Sequence, residues 1–467
     1  MPVIKDVVMQ TLKCISPIDG SVYAERAVLS LAEAQAVAAR ARAAQAAWAA
    51  RPLAERIALV MAGVAAVGAM NDEIVPELAH MMGRPVRYGG EFRGFDERAS
   101  HMAEIAEGAL ADIAVGEDAT FKRYIKRIPQ GVILVVAPWN YPYMTAINTV
   151  APALIAGNTV LLKHSTQTLL VGERMARAFQ AAGVPQDVFQ NVFLDHDTTS
   201  ALIAGGAFNF INFTGSVGAG RAIERAAAGT FTGLGLELGG KDPGYVMEDA
   251  DLDAAVATLI DGAMFNSGQC CCGIERIYVH QSLFDAFVAK SVALVQGYKL
   301  GNPFDPETTL GPMANIRFAA EVRAQVAEAL AMGATAHIPT FPEDDGAAYL
   351  SPQILTNVSH KMRVMRDESF GPVVGIMPVA SDDEAIALMN DSEFGLTASL
   401  WTPDVARAQA VGDRIETGTV FLNRADYLDP GLCWTGCKNT GRGGGLSVIG
   451  YHNLTRPKSY HLKKVTK

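Results

Sequence analysis

Cysteine is scarce in this sequence, and positive charge is not in excess. The 467 residues contain 6 cysteines, three of them consecutive, which excludes a disulfide scaffold and favours a reducing, cytoplasmic location. Lysine and arginine number 39 against 49 aspartates and glutamates, which gives a net charge of −10. This charge argues against nucleic acid or an anionic membrane as the main partner.

A long uninterrupted hydrophobic segment is also missing. Residues 131–162 contain no charged side chain and are numerous enough to span a bilayer, but three prolines and three asparagines interrupt them. Residues 1–20 lack an apolar core followed by a small-residue cleavage site, so no secretory signal is predicted. With 49% hydrophobic residues, we expect burial inside large ordered domains.

Strands and helices alternate along the chain in a way typical of an α/β fold. Apolar runs of strand length at residues 132–137, 159–163, 209–213 and 233–238 are separated by helical stretches, which predicts a doubly wound parallel sheet. After Gly240 the alternation starts again and predicts a second α/β unit. Residues 111–129 and 455–467 contain basic and apolar stretches like those of exposed strands, so we expect a small protruding sheet that could pair subunits.

The three consecutive cysteines lie in a glycine-containing loop, Phe265-Asn-Ser-Gly-Gln-Cys-Cys-Cys-Gly273. A thiolate at Cys271 would be a strong nucleophile, and glycine on both sides lets backbone N–H groups approach a reacting oxygen. The alternative is that Cys271 is a buried structural cysteine. Zinc needs ligands in spaced pairs, which this run lacks, so no metal site is predicted.

Two polar side chains follow strand-like runs. Glu237 precedes a Gly-Gly turn among apolar residues, a setting in which a carboxyl group holds its proton near neutral pH and can act as a general base. Asn140 lies between two prolines, whose rigid backbone would aim its amide at a developing oxyanion. Taken alone, Glu237 could instead be a surface residue at a strand end, and Asn140 part of a rigid turn.

A glycine-rich turn, Thr214-Gly-Ser-Val-Gly-Ala-Gly220, follows a strand and opens a helix. Its backbone amides could hold a pyrophosphate, although the usual spacing of the Rossmann fingerprint is missing. Lys163 ends another strand, where it could reach a ribose or phosphate oxygen or simply be solvated. Together these features are an indirect indication of a dinucleotide site.

These motifs together resemble the aldehyde dehydrogenase superfamily over nearly the whole chain. Further matches, in order, are Gly301-Asn-Pro-Phe-Asp-Pro306, Leu310-Gly-Pro312, Glu368-Ser-Phe-Gly-Pro372, Phe394-Gly-Leu-Thr-Ala398 and Gly418-Thr-Val-Phe-Leu-Asn423. The resemblance implies a Rossmann-like cofactor-binding domain over residues 1–110 and 130–238 and a catalytic α/β domain over residues 239–425. It also implies that residues 111–129 and 455–467 are oligomerisation strands of a homodimer or homotetramer.

The resemblance implies catalytic roles for three residues. Cys271 matches the nucleophile that attacks the aldehyde, Asn140 the amide that stabilises the oxyanion, and Glu237 the base that activates water. The implied reaction oxidises an aldehyde to a carboxylic acid with NAD(P)+ through a thiohemiacetal and a thioester. Because relatives that pass the acyl group to coenzyme A generally lack a base at the position of Glu237, its presence predicts hydrolysis.

The resemblance also implies a set of cofactor contacts, namely Lys163, Glu368, Gly215, Ser216, Trp139 and Phe370. The first two match residues that hold the riboses, the next two lie at the pyrophosphate, and the aromatic pair lies near the cofactor. Three residues after Lys163 the family often has a glutamate, where this sequence has Thr166. Because no carboxylate would repel a 2′-phosphate there, we expect NADP to be accepted alongside NAD.

The expected substrate pocket contains Tyr141, Cys270, Cys272, Arg424 and Trp434. Trp434 takes a position where the family usually has a pocket aromatic. Arg424 favours an acidic aldehyde such as a semialdehyde, whereas Asp426 and Asp429 favour a cationic aminoaldehyde. All three charges could instead face solvent beside the entrance, so a small aliphatic aldehyde of either kind is expected.

Two other classes of function fit parts of the pattern. A cysteine hydrolase would need a histidine beside Cys271, and the closest in sequence, His280, is on the following strand. A catalytically silent cofactor-binding homologue is the other alternative, because a fold alone does not secure an activity.

Overall fold

The computed structural model describes residues 10–339, 347–425 and 427–465. The strands are β1 Thr11–Ile15, β2 Val22–Ala27, β3 Ile113–Glu117, β4 Phe121–Pro129, β5 Val132–Ala137, β6 Thr159–His164, β7 Phe189–Asn191, β8 Phe210–Thr214, β9 Gly233–Glu237, β10 Asp242–Val246, β11 Ile274–His280, β12 Thr335–Ala336, β13 Gln353–Thr356, β14 Val373–Val379, β15 Phe394–Gly395, β16 Thr397–Trp401, β17 Thr419–Leu422, β18 Cys437–Lys438, β19 Gly441–Arg442 and β20 Thr455–Lys463. The helices are α1 Leu31–Ala49, α2 Leu53–Gly68, α3 Asn71–Met82, α4 Phe92–Leu110, α5 Pro142–Ile155, α6 Leu169–Ala181, α7 His196–Ala204, α8 Val217–Ala227, α9 Leu252–Met264, α10 Phe284–Val295, α11 Ile316–Ala331, α12 Arg363–Arg366, α13 Asp382–Asn390, α14 Val405–Gly412 and α15 Ser447–Asn453.

A six-stranded sheet forms the centre of the first α/β unit. Its strand order is β19-β9-β8-β5-β6-β7, and every neighbouring pair is parallel except β19 with β9. All residues of β5 and β6 are buried, as is typical of parallel strands covered on both faces. The first predicted α/β unit is therefore present.

The carboxyl ends of these parallel strands bring the sequence motifs to one edge of the sheet. Ala137 pairs with His164 at the ends of β5 and β6, and Thr214 pairs with Glu237 at the ends of β8 and β9. Asn140 lies in the turn after β5, and the glycine-rich turn follows β8. Ligands of open α/β sheets bind at this edge, so motifs that are far apart in sequence face one region.

The second α/β unit is a seven-stranded sheet of order β12-β13-β14-β11-β10-β16-β17. Its neighbouring pairs are parallel except β12 with β13. A short turn through Gly239 and Gly240 leads from β9 of the first sheet to β10 of the second. Glu237, the last residue of β9, therefore lies at the boundary between the two sheets, and the predicted fold of two α/β units is confirmed.

The third sheet has the order β20-β4-β3 and is antiparallel throughout. Tyr124 and Tyr460 stack across β4 and β20 with ring centroids 4.7 Å apart. Ile113, Val115 and Leu462 on the two outer strands are exposed. Strands are thus present in both predicted segments, whereas the domain boundaries and the pairing of subunits stay predictions.

The uncharged segment 131–162 folds as β5, α5 and β6. Pro142 is in the first turn of α5, where its missing N–H is tolerated, and Pro152 lies inside the helix. Among the described residues, no single helix is long and apolar enough to cross a membrane. The pair α2 and α3, bent by 67°, passes that test together on length and composition alone.

Candidate active site

A cavity of about 610 Å³ opens between α4, α5 and the boundary of the two large sheets. Its wall includes residues from distant parts of the chain: Arg98, Tyr141, Glu237, Cys271, Arg424 and Trp434. Two of the three expected catalytic residues, Cys271 and Glu237, therefore face one space. The third, Asn140, precedes Tyr141 of the wall.

The loop before Cys271 has a left-handed backbone. Asn266, Ser267 and Gly268 have φ values of 54°, 56° and 69°, a region that few side chains adopt without a local reason. A Cβ atom on Gly268 would lie 2.2 Å from the carbonyl oxygen of Gly371, so glycine is required there. This turn ends α9 and directs the cysteines toward the cavity.

Side chains of the same loop fix it to the segment before α11. Gln269 donates from Nε2 to the carbonyl oxygen of Asn266 (3.0 Å), and its Oε1 accepts from the amide of Ala314 (2.8 Å). Ser267 donates to the carbonyl oxygen of Gly311 (2.8 Å). Because these polar groups are buried and satisfied, the loop is held in one conformation.

The pKa of the Cys271 thiol is lowered by its surroundings. Side-chain hydrogen bonds from Cys270 and Cys272 hold its pKa well below the usual range, and the charge of Arg98 acts in the same direction. Burial opposes this shift without reversing it. The lowered pKa favours the thiolate of Cys271, which is the nucleophilic form.

The pKa of Glu237 is shifted in the opposite direction to that of Cys271. Burial, together with the negative charge of Cys271, raises its pKa to about 7. Thr214 donates a hydrogen bond to its Oε2 (3.3 Å), which partly stabilises the ionised form. A carboxyl group with a pKa near neutrality can take a proton from water and release it again.

Asn140 is positioned through its backbone. Its carbonyl oxygen accepts from Nη2 of Arg84 (2.6 Å) and from Nδ2 of Asn266 (3.4 Å), which ties it to the cysteine loop. Arg84 in turn forms a buried ion pair with Glu91 (2.6 Å). No described residue hydrogen-bonds the side-chain amide of Asn140, so this amide is available to a substrate oxygen.

The edge of the six-stranded sheet fits an anionic dinucleotide. The ammonium of Lys163 is buried, burial lowers its pKa, and no described residue accepts a hydrogen bond from it. Ser216 caps α8 by accepting from the amide of Ala219 (3.4 Å). A Cβ on Gly218 would meet no atom within 4 Å, so the first turn of α8 is open to a phosphate.

Two of the expected cofactor residues are bound to the protein itself. The amide of Gly215 donates to the carbonyl oxygen of Glu237 (3.0 Å), and its contact with the cofactor stays a prediction. Glu368 accepts from the amide of Gly240 (3.0 Å), and burial raises its pKa to about 8. Glu368 therefore lies beside the turn that follows Glu237.

Trp139 and Phe370 meet in an aromatic cluster whose third member, Phe318, the sequence analysis missed. The Trp139 ring stacks on Phe318 with centroids 5.2 Å apart and meets Phe370 edge-on at 5.5 Å. Thr166 is half-buried in a short 3₁₀ turn after β6. No hydrogen bond joins Thr166 to a carboxylate within the described part of the chain.

The charged residues at the cavity entrance differ in how directly they face the cavity. The guanidinium carbon of Arg424 lies 3.4 Å from the centroid of the Tyr427 ring, and Tyr427 donates to Glu97 (2.6 Å). Asp429 accepts from a nearby backbone amide and is exposed outside the cavity wall. Asp426 lies outside the described residues. The entrance thus offers the arginine to a substrate more directly than it offers Asp429.

Tyr141, Cys270, Cys272 and Trp434 line the cavity as expected, but the sequence analysis missed Arg98. Arg98 lies three residues after Phe95 and four before Met102, two buried residues of α4. This helical spacing places Arg98 on the inward side of α4 and was a signal that could have identified it.

The three consecutive cysteines lie closer together than the sequence argument against zinc assumed. Their sulfur atoms are within 4.8 Å of one another. A structural zinc site has four ligands, and this group supplies three within the described residues. The expectation that the protein holds no metal stays a prediction.

Comparison with known proteins identifies the family. The profile of the aldehyde dehydrogenase family matches residues 4–460. The chain belongs to this family. A relative named succinate-semialdehyde dehydrogenase [NADP(+)], from Deinococcus radiodurans, is 33% identical over 449 residues, which cover 95% of this chain and 93% of the relative.

Two further aldehyde dehydrogenases extend this match. The succinate semialdehyde dehydrogenase [NAD(P)+] of Escherichia coli is 34% identical over 391 residues, covering 83% of this chain and 84% of the relative. The crystal structure of succinate-semialdehyde dehydrogenase from Burkholderia pseudomallei aligns with a TM-score of 0.93 at 30% identity, covering 97% of this chain and 94% of that one.

The predicted activity is therefore confirmed: this aldehyde dehydrogenase oxidises an aldehyde to a carboxylic acid with NAD(P)+ through a cysteine thiohemiacetal and thioester. The comparisons give no support to a cationic aminoaldehyde as substrate or to a catalytically silent homologue.

We predict that iodoacetamide modifies Cys271 at a pH where ordinary thiols are protonated. The pKa of Cys271 is lowered, whereas burial raises the pKa of Cys433 and Cys437. At about pH 6.5, peptide mass spectrometry should detect alkylation of Cys271 at least about tenfold faster than alkylation of Cys437. Faster alkylation of Cys437 would contradict the thiolate state of Cys271.

Proposed function

We propose that Cys271, Asn140 and Glu237 carry the aldehyde oxidation and that water hydrolyses the acyl-enzyme. The observation that supports this most is the cavity wall that Cys271 and Glu237 share. The pKa of Cys271 is lowered, and the pKa of Glu237 is raised to about 7. A thiolate can attack a carbonyl carbon, and a base near its own pKa can deprotonate water, so the two groups serve the two halves of the reaction.

In the first half, the sulfur of Cys271 forms a bond to the aldehyde carbon and negative charge develops on the aldehyde oxygen. The amide of Asn140 donates a hydrogen bond to this oxygen and stabilises the charge. When NAD(P)+ is bound, it accepts the hydride from the substrate carbon. The chain keeps Cys271 ionised and holds Asn140 in place through Arg84 and Asn266.

The cofactor would be held along the carboxyl edge of the six-stranded sheet. Lys163 would neutralise negative charge there, and the first turn of α8, after Ser216, would donate to the pyrophosphate. Glu368 would accept from a ribose hydroxyl. Trp139 and Phe370 would bound the site with their rings.

Formation of the thioester prepares Glu237 for the second half. In the thioester, Cys271 no longer carries the negative charge that helps to raise the pKa of Glu237. Loss of that charge lowers the pKa of Glu237 from about 7, so the carboxylate is favoured when water must be deprotonated. The hydroxide attacks the thioester carbon and the C–S bond breaks. This step regenerates the thiolate of Cys271 and releases the carboxylic acid.

We predict that Glu237→Gln separates the two halves of the reaction. Acylation remains and gives a burst of about one reduced nicotinamide per site, because Cys271 and Asn140 are intact. Steady-state turnover falls roughly 10²- to 10⁴-fold, the usual contribution of a general base. Stopped-flow absorbance of the reduced nicotinamide measures both phases.

Cys271→Ser is the matched control and should abolish the burst. If Glu237→Gln kept the full steady-state rate, Glu237 would not be the base. If acylation and turnover fell together, Glu237 would act before the thioester instead of on it.

We also propose that NADP is accepted alongside NAD, because Thr166 places no carboxylate near the adenosine ribose. Introducing one with Thr166→Glu should reduce kcat/KM for NADP at least about tenfold relative to NAD, through repulsion of the 2′-phosphate. Thr166→Gln has the same shape without the charge and should leave the ratio near that of the unmodified enzyme. Absence of NADP turnover in the unmodified enzyme would contradict the proposal.

The substrate that we propose is a small semialdehyde, with a carboxylate at the end remote from the aldehyde. Arg93, Arg98 and Arg424 line the cavity, whereas Glu97 at its entrance is hydrogen-bonded to Tyr427. Each of these arginines can pair with a substrate carboxylate, which supports an anionic substrate. The relatives from Deinococcus radiodurans and Escherichia coli are named for the oxidation of succinate semialdehyde.

For the assembly, we propose that the β20-β4-β3 sheet joins subunits into a homodimer or homotetramer. Its outer strands expose Ile113, Val115 and Leu462, which pairing would cover. Residues 1–110 and 130–238 would form the cofactor-binding domain and residues 239–425 the catalytic domain. The net charge of −10 and six cysteines without a disulfide support a cytoplasmic protein without nucleic acid or membrane as main partner.

A further inference from the structure

We propose that Arg98, with the amide of Asn148, binds the remote carboxylate of the substrate inside the cavity. This inference rests on the proposed oxidation of a semialdehyde and assigns its specificity to two residues. Both line the cavity whose wall contains Cys271 and Glu237. A bound substrate would thus have its carboxylate at Arg98 and its aldehyde at Cys271.

One nitrogen of the Arg98 guanidinium is hydrogen-bonded within the protein, and the other two are available to a ligand. Its Nη1 donates to the carbonyl oxygen of Met144 (2.9 Å) and to Oδ1 of Asn148 (3.4 Å), two residues of α5. These contacts tie α4 to α5 and orient the guanidinium. Its Nε and Nη2 donate to no residue in the described part of the chain, so two further donors remain for a ligand.

The charge of Arg98 lacks a close partner. None of the carboxylates in the described ranges forms an ion pair with Arg98. Glu97, the adjacent residue, accepts instead from Tyr427. Arg98 is half-buried, and burial lowers its pKa, which shows that its charged form is poorly solvated. The negative charges of Glu91, Cys272, Cys271 and Glu237 oppose this shift. None of these groups accepts a hydrogen bond from Nε or Nη2 of Arg98, so a substrate carboxylate could bind these two atoms directly.

The side-chain amide of Asn148 adds another hydrogen-bond donor beside Arg98. It is buried, and because its Oδ1 accepts from Arg98, its Nδ2 is left to donate. No described residue accepts from this Nδ2. An arginine fork beside an amide matches the two oxygens of a carboxylate. A phosphate has more oxygens and more charge and would need further donors, so the geometry favours a carboxylate.

The other two arginines of the wall are less suited to this role. Arg93 and Arg424 are exposed, and Arg424 lies over the Tyr427 ring. Exposed charges are screened by solvent and salt and contribute little to binding at a defined distance. They can attract an anion to the entrance, while Arg98 would hold it in the cavity.

The test compares two substrates of equal carbon number, succinate semialdehyde and butanal, in the full-length enzyme with saturating cofactor. The quantity measured is kcat/KM for succinate semialdehyde divided by kcat/KM for butanal. For Arg98→Met this ratio should fall at least about tenfold, the effect of losing a hydrogen bond to a charged group. Arg98→Lys should give a ratio between those of the unmodified enzyme and Arg98→Met. Arg93→Met, on the same helix, should change the ratio by less than about threefold.

Asn148→Asp provides an independent variant that keeps the size of the side chain. Its carboxylate would pair with Arg98 and repel the substrate, so the same ratio should fall. Because each ratio is taken within one variant, a general loss of activity cancels. An unchanged ratio in Arg98→Met and Asn148→Asp would overturn the proposal.

A binding experiment separates this inference from the proposed function. Butanoate should slow the alkylation of Cys271 by iodoacetamide at a lower concentration than butanamide does, and Arg98→Met should remove this difference. If the enzyme shows no preference for the semialdehyde yet passes this test, the carboxylate site stands and the proposed substrate is wrong. Equal protection by both compounds, or better protection by inorganic phosphate, would overturn the carboxylate site.

Discussion

The negative charge of Cys271 raises the pKa of Glu237, and this coupling exists because two loops from different sheets end at one cavity. The cysteine loop follows α9 of the second unit, and Glu237 ends β9 of the first. In water the two charges would hardly interact, whereas in a partly dehydrated wall the interaction is strong. Hydrogen bonds from Cys270 and Cys272 lower the pKa of Cys271, while burial and the charge of Cys271 keep Glu237 near its titration point until the sulfur is acylated.

A buried polar network maintains this arrangement. Arg84 pairs with Glu91 and donates to the carbonyl oxygen of Asn140, while Glu91 also accepts from the amide of Met144 in the first turn of α5 (2.8 Å). Asn266 joins the same carbonyl oxygen to the cysteine loop. Breaking a buried ion pair costs about 3–5 kcal/mol, because the remaining charge is left without a partner. The network therefore couples the position of Asn140 to that of the nucleophile.

Local sequence signals identified the parts of the site that depend on the backbone. Glu237 and Asn140 follow apolar strands, and parallel strands must end at a common edge, so their proximity could be anticipated. The left-handed turn at Gly268 is consistent with the glycine-containing cysteine loop. Motif order along the chain gave the family, and with it the expectation of Cys271 as nucleophile.

Side chains that reach the site across a helix crossing could not be found in this way. Arg98 reaches the cavity because α4 packs beside α5, and Arg84 reaches Asn140 from the segment after α3. Phe318 joins Trp139 from a helix of the second unit. Nothing local marks the contact of Phe318, and the helical spacing of Arg98 indicates only that its side chain faces inward. The amide of Gly215 donates to the carbonyl oxygen of Glu237, as pairing between β8 and β9 requires. Tertiary packing therefore determines the contacts that the sequence patterns left ambiguous.

The central claim is that Cys271 carries the acyl group and Glu237 removes it. Peptide mass spectrometry of Glu237→Gln, quenched after one turnover with aldehyde and NAD(P)+, tests this directly. The account predicts an acyl adduct on Cys271 that is absent without cofactor and absent from the unmodified enzyme at the end of the reaction. An adduct on Cys270 or Cys272, or no adduct while reduced nicotinamide is formed, would contradict it.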